Sequence, residues 1–232
     1  RKVVIGTGAG LSVASGIRPF RSDPRQQDNR HVLQEGLWND VIWSTATRAS
    51  FRKDPSRWYN EFWKPHFEGT YQPNCGHHAL QNLLSDFSNV RQITQNIDGL
   101  QPESPQIIEA HGRVGLYKCC PGSDSDTDSD DDNDRPIHLG HRRKSRIARR
   151  KSKDLETCPY QYLESLSSDQ LVVTENQAPT CPVCGNYVMP QALLFDEGYH
   201  AHSFYDFERT EDWLADAEVL VFVGTSFAVQ LT

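Results

Sequence analysis

This sequence is poor in the features that mark membrane-spanning and disulfide-stapled chains. No apolar run approaches the roughly 18–20 residues that cross a bilayer. No leader is expected, because the sequence begins RKVVIGTGAG, which reads as a strand and its turn. Its six cysteines among 232 residues are few and clustered, which favours metal ligation in a reducing compartment over a disulfide framework. A net charge of −7 argues against a nucleic-acid-binding surface over the whole body. The spacing C-x-x-C occurs once, at Cys181 and Cys184 in TCPVCGN. Structural zinc takes four ligands, usually as two such pairs, so the other pair has to be sought among Cys75, Cys158 and the doublet Cys119-Cys120.

What charge there is lies in blocks. GSDSDTDSDDDND (122–134) carries seven Asp and no base, and HRRKSRIARRKSK (141–153) carries eight Lys or Arg and no acid. Such blocks repel themselves and bury too little apolar surface to fold, so a disordered loop is predicted over about 121–156, ending close to Cys120 and Cys158.

KVVIGTGAGLSVASGI reads as a strand, a Gly-rich turn and the start of a helix, the opening of a dinucleotide-binding unit. Helical patterns follow at 31–43, 55–67 and 76–87. Short buried strands are expected at 90–94 and 105–112, a further strand at 188–195, a helix at 203–217 and a fully buried strand at 218–226. Strands alternating with helices predict an α/β fold, a Rossmann-like doubly wound parallel sheet, with a small zinc-binding domain inserted. The predicted division gives 1–112 and 188–232 to the cofactor sheet and 113–187 to the zinc module. A doubly wound sheet would need another strand beyond Thr232, so the sequence reads as part of a longer protein.

Three stretches carry candidate chemistry. GTGAGLS (6–12) lets backbone approach a pyrophosphate at a helix start, or is merely a tight turn. TQNIDGL (94–100) places amides and a carboxylate at a strand's C-terminal end, where α/β sheets bind ligands; it could equally be an Asx-rich turn. EAHG (109–112) offers one histidine suited to proton transfer near neutral pH.

Read in order, GAG-x-S, then Q-N-I-D, then H-G, a cysteine site and G-T-S, the chain resembles the sirtuins, NAD-dependent protein lysine deacylases, from Val3 to Val229 outside the charged loop. PNCGHHALQNLL (73–84) resembles the family's P-x-x-x-H-x-A-L at Pro73, His78, Ala79 and Leu80, allowing one extra residue. The resemblance implies that Gly8, Ala9, Gly10 and Ser12 line the NAD phosphates and ribose. It places Phe20 and Arg21 of GIRPFRS over the nicotinamide side. Gln95, Asn96 and Asp98 would hold the nicotinamide ribose and carboxamide, and Gly224, Thr225 and Ser226 would meet the cofactor from the last strand. His111 would be the general base, with Asn96 also needed for catalysis, and Phe195, Asp196 and Glu197 would pair with the substrate peptide as an added strand. In the implied reaction the acyl oxygen of a modified lysine attacks C1′ of the nicotinamide ribose and expels nicotinamide. His111 then activates a ribose hydroxyl.

The resemblance also implies one structural zinc. Its first cysteine follows His-Gly by about seven residues, giving Cys119, Cys158, Cys181 and Cys184, with Cys120 as the variant for Cys119 and Cys75 left as a buried free thiol. Expected partners are acylated-lysine proteins, histone tails among them, and a weak nucleic-acid contact through 141–153, with no membrane; a nuclear location is expected. Three departures from the family pattern stand out: Arg18-Pro19 for Pro-Asp, Asp196 for Gly in the F-G-E loop, and a later Asn that would fall beyond Thr232. Phe62 and Pro65 stand where succinyl-preferring sirtuins carry Tyr-x-x-Arg, which predicts acetyl or longer apolar acyl groups. Two other functions fit the same residues: mono-ADP-ribosyl transfer, and a catalytically weak zinc-bearing interaction module.

Overall fold

The computed structural model describes residues 1–17, 42, 44–67, 69–120 and 158–225. The charged blocks, Phe20, Arg21, Ser226 and, apart from Ile42, the helix predicted over 31–43 lie outside the described residues.

Four parallel strands form the first sheet: β1 (Val3–Thr7), β2 (Val90–Thr94), β3 (Ile107–Glu109) and, named here in advance of its place in the chain, β7 (Val219–Val223), in the order β3-β2-β1-β7. β1 is flanked in register by Val90 and Val219 opposite Val3. The chain therefore winds one way from β1 to β2 and β3 and returns on the other side at β7, the arrangement that opens a crevice at the strands' carboxyl ends. β7 was expected to be fully buried, yet Leu220, Val221 and Phe222 remain 38–49% exposed. Among the described residues it has a sheet partner on one side only, β1.

A second, antiparallel sheet has the order β5-β4-β6, from β4 (Gly112–Cys119), β5 (Leu166–Ser167) and β6 (Val188–Ala192). β6 pairs with β4, Cys119 opposite Val188. The boundary predicted at 188 therefore falls inside the second sheet. β4 itself escaped the sequence reading, because its pattern is broken by Gly115 and by a register shift between Gly112 and Tyr117.

Helices cover these sheets. α1 (Arg48–Lys53) is capped by the Thr47 hydroxyl, which accepts from Ser50 N at 3.0 Å. A composite helix follows, α-helical over Pro55–Arg57, π-helical over Trp58–Trp63 and α-helical over Lys64–Phe67. The wider π turn puts Trp58, Tyr59, Phe62 and Trp63 all into the core. There Trp58 and Trp63 stack at 5.7 Å, and they share one cluster with Cys119, Cys181 and Met189. α2 (Cys75–Asp86) begins with a capping box in which Asn74 Oδ1 accepts from Gly76 N and His77 Nδ1 accepts from Asn74 N. Its buried histidine is His77, whereas His78, to which the family resemblance was assigned, is exposed. Cys75 stands in the first turn of α2 and is exposed rather than buried. The helix predicted at 203–217 is a short 3-10 turn at Ser203–Tyr205 followed by α3 (Phe207–Ala215).

Candidate active site and thiol cluster

The glycine turn, Gln95, Asn96, Asp98, His111, Gly224 and Thr225 gather at the carboxyl edge of the parallel sheet. After β1 the chain makes two 3-10 turns, at Ala9–Leu11 and Val13–Ser15, where a helix start was expected. Gly8 N donates to Val223 O at 3.0 Å and Gly10 N to Gly224 O at 2.8 Å. The glycine turn thus closes on the end of β7, and these two N–H groups are already engaged rather than free for a phosphate. The approach is close enough to require glycine. A Cβ on Gly10 would stand 2.8 Å from Gly224 Cα, and one on Gly224, at φ +66°, 2.3 Å from Leu11 N. Thr225 borders the same turn, 2.9 Å from where a Gly8 Cβ would be.

The strand end after β2 is tied to this turn. Asn96 Nδ2 donates to Gly8 O and to Ser12 Oγ, both at 3.0 Å, and Ser12 Oγ donates to Asp98 Oδ2 at 2.5 Å. Asp98 Oδ1 accepts from Leu100 N at 3.0 Å, an Asx turn superimposed on the network. Gln95 differs from these three. Its carboxamide nitrogen is buried and has no hydrogen-bond partner among the described residues. A buried donor left unpaired costs about 1–3 kcal/mol. A dinucleotide's carboxamide, phosphate or sugar oxygens would satisfy it, so the residues present fit such a cofactor.

His111 ends the short β3–β4 connection. Its ring hydrogen-bonds the backbone of Gln95. Gln95 N–H is already given to Thr7 O at 2.9 Å, so the ring donates to the Gln95 carbonyl. The remaining nitrogen, Nε2, lies 3.1 Å from the hydroxyl of Tyr199. Burial pulls the imidazole down to about 4, only partly offset by the Gln95 carbonyl. It is therefore neutral at pH 7, with Nε2 in contact with the Tyr199 hydroxyl. Gly112 follows at φ +92°, and a Cβ there would sit 1.8 Å from Gln191 O. Only glycine lets β6 pass this close, which explains the H-G pair physically.

The segment after β6 starts beside the histidine, with Leu193 N donating to His111 O at 2.9 Å. Phe195 is 46% exposed there, and its N–H is given to Ala46 O. Asp196 and Glu197, in the segment expected to pair with substrate as an added strand, have their side chains bonded within the fold. Asp196 accepts from Arg48 N at 2.7 Å and Ala49 N at 3.0 Å, placing its charge on the N-terminus of α1. The Glu197 side chain is 2% exposed and meets Lys118 Nζ with both oxygens at 2.7 Å. Lys118 also donates to Tyr205 Oη at 2.7 Å. Burial and this pairing commit the Glu197 side chain to the fold. Both acids anchor the segment instead, a role that contacts across 79 residues hide from sequence reading.

At the far end of β4, Cys119, Cys158, Cys181 and Cys184 bring their sulfurs within 4.8 Å of one another. The resolved Sγ–Sγ separations are 3.6, 3.7 and 3.9 Å. Four sulfurs at about 2.3 Å from a central zinc stand about 3.8 Å apart in a tetrahedron, so the donor set fits zinc in both chemistry and size. Cys120 is buried but outside the cluster, its N–H on Tyr187 O and its thiol beside the Arg48 guanidinium. Adjacent residues of an extended strand point to opposite faces, which is why only Cys119 joins.

The Sir2 family model matches residues 8–231. An NAD-dependent deacetylase of Dictyostelium discoideum, sir2E, is 32% identical over all of this chain and 60% of its own length. An NAD-dependent protein deacylase of Leptospira interrogans is 32% identical over all of this chain and 74% of its own. A solved Sir2 homologue in complex with NAD superposes with a TM-score of 0.61 at 24% identity, over 98% of this chain and 69% of that one. The chain thus spans 60% of the length of the Dictyostelium relative.

Proposed function

This chain belongs to the Sir2 family, and from that premise we propose that the protein is an NAD-dependent protein lysine deacylase. The observation that carries the reading is the neutral, buried His111, whose ring meets the backbone of Gln95, the residue that bears the unpaired amide and precedes the Asn96–Ser12–Asp98 network. Bound NAD would supply the electrophilic sugar carbon and nicotinamide as leaving group. Gln95, Asn96, Asp98 and the glycine turn would hold it, and fixed dipoles there would stabilise developing positive charge without reorganising. His111 Nε2 takes the proton of the hydroxyl that completes acyl transfer. Phe20, Arg21 and Ser226 are proposed as further cofactor contacts on the strength of the motif alone.

The thiolate cluster, with all four positions taken by sulfur, would hold zinc for structure and leave no open coordination site for catalysis. Acylated-lysine proteins are the proposed substrates, docked beside Phe195. Histone tails, nuclear location and a nucleic-acid contact through the basic block at 141–153 extend this proposal, supported by the charge of that block. Phe62 is packed against Trp58 and Phe67 and offers no cation to an acidic acyl chain, which supports acetyl or longer apolar groups. The test is nicotinamide release with a panel of acyl-lysine peptides. Release should depend on the acylated peptide and favour apolar chains over succinyl. Release without any acylated peptide would favour ADP-ribosyl transfer, and a succinyl preference would overturn the chain assignment.

A further inference from the structure

Tyr199 belongs to none of the motifs, yet its hydroxyl occupies the base atom of His111 at 3.1 Å. In the tautomer whose proton sits on the other ring nitrogen, Nε2 accepts and the phenol donates. Burial raises the Tyr199 hydroxyl above its ordinary value, so at neutral pH it keeps the proton it donates.

The residue is also held in place from both sides. Before it, Glu197 is locked by Lys118. After it, Ala201 N bonds Gly198 O at 3.0 Å, and His202 is buried, with Nδ1 accepting from Phe204 N at 3.1 Å and Nε2 against Glu164 O at 3.2 Å. The Tyr199 ring stacks on Phe207 at 4.9 Å and 16°, and His200 meets the other edge of Phe207. A side chain merely filling an empty site would not need two buried anchors within a few residues and a stacking platform at the head of α3.

We propose that Tyr199 is a proton relay between an incoming alcohol hydroxyl and His111, a second catalytic residue for the deacylase reading on which this inference rests. The Oη–H bond breaks as Nε2–H forms, and the proton of the incoming hydroxyl moves to Oη. One proton is transferred in total, His111 becomes imidazolium, and the hydroxyl oxygen is left as the nucleophile. The phenol is regenerated within the step.

Tyr199→Phe keeps the ring and its stacking and removes only the hydroxyl. In the full-length protein, nicotinamide release should stay within about 3-fold of wild type, while release of deacylated peptide falls by at least about 10-fold, a part of the 10²–10⁴ that positioned proton transfer contributes. Independently of turnover, ¹⁵N NMR of the unliganded protein should show the His111 Nε2 signal moving to that of an imine nitrogen without a hydrogen bond, with the thermal melt unchanged. Peptide release at the wild-type rate or faster would overturn the relay and make Tyr199 a stopper that substrate displaces. Equal loss of both steps would also overturn it, in favour of a role in binding. His111→Ala serves as the control: if that variant deacylates normally, the base assignment under the proposed function fails, whereas an inactive His111→Ala beside a normal Tyr199→Phe sinks the relay alone.

Discussion

Around the four cysteines, every donor is in position for one cation, and the neighbouring core of Trp58, Trp63 and Met189 holds them there. At the carboxyl edge of the parallel sheet the polar groups are instead tied to one another, Asn96 to Ser12 and Ser12 to Asp98. Gln95 Nε2 is left unpaired among the described residues, and His111 Nε2 meets only the exchangeable hydroxyl of Tyr199. The first region is complete as a structural device, and the second is organised with specific capacity left over. That difference separates a metal that holds a fold from groups that perform chemistry.

The sharpest way to break the comparison is to remove one thiol. Cys158→Ser should lose the metal and unfold the antiparallel sheet, since binding of structural zinc is worth about 10–16 kcal/mol near neutral pH and much of that is folding energy. Zinc content by elemental analysis beside a thermal melt checks it. Full zinc in this variant would mean that Cys120 or Cys75 supplies the fourth ligand.

A smaller effect is expected where the two regions are joined. Lys118 precedes a thiol ligand and holds Glu197 of the segment beside His111. Lys118→Met leaves a buried carboxylate unpaired and should cost about 3–5 kcal/mol, and adding Glu197→Leu should restore most of it. Urea denaturation of the single and double variants measures this. Two variants that destabilise additively would show that the pair is not coupled.

These linkages mark what was legible in the sequence. The two thiols of C-x-x-C, the strand at 90–94 and the helix near 76–87 follow from short-range spacing and periodicity, and the structure places each within a residue or so. Lys118, Glu197 and Tyr199 carry no local signature, because their meaning lies in partners far along the chain. The π turn at Trp58–Trp63 was equally hidden, since an α-helical period read through the same residues also puts aromatics inward. Substrate contact was assigned to Asp196 and Glu197 from a motif whose central glycine is absent here, and the replacement turned out to cap a helix.

Acid sharpens the contrast further. His111 is held near 4 by burial, below the 6.5 of an unfolded histidine. The unfolded chain therefore binds a proton that the native site refuses. His111 thus contributes stability that is fully present above pH 6.5 and is lost as pH falls through 4, at most about 3 kcal/mol. His202, also pushed to about 4 by burial, acts in the same direction. Melts of wild type and His111→Gln between pH 7.5 and 5 should show the variant losing less on acidification. Parallel curves would mean that His111 titrates normally in the native state.

The least effect should come from shortening the chain at the thiol cluster. Removing residues 122–156 joins Pro121 to Thr157 and brings Cys119 and Cys158 close in sequence. Zinc content should stay at one per chain. Stability should match or exceed the parent's by a fraction of a kcal/mol to about 1.5, because a shorter loop costs less to close. Lost zinc would show that the charged blocks help to build the site.

The most direct test of the separation between the two regions is the deacylation rate of full-length His111→Ala, with zinc content and melt recorded on the same sample. A fall of at least about 10² with one zinc per chain and a still cooperative melt is the predicted result. Deacylation at the wild-type rate would contradict it, because the chemistry would then not depend on the base that the parallel sheet presents.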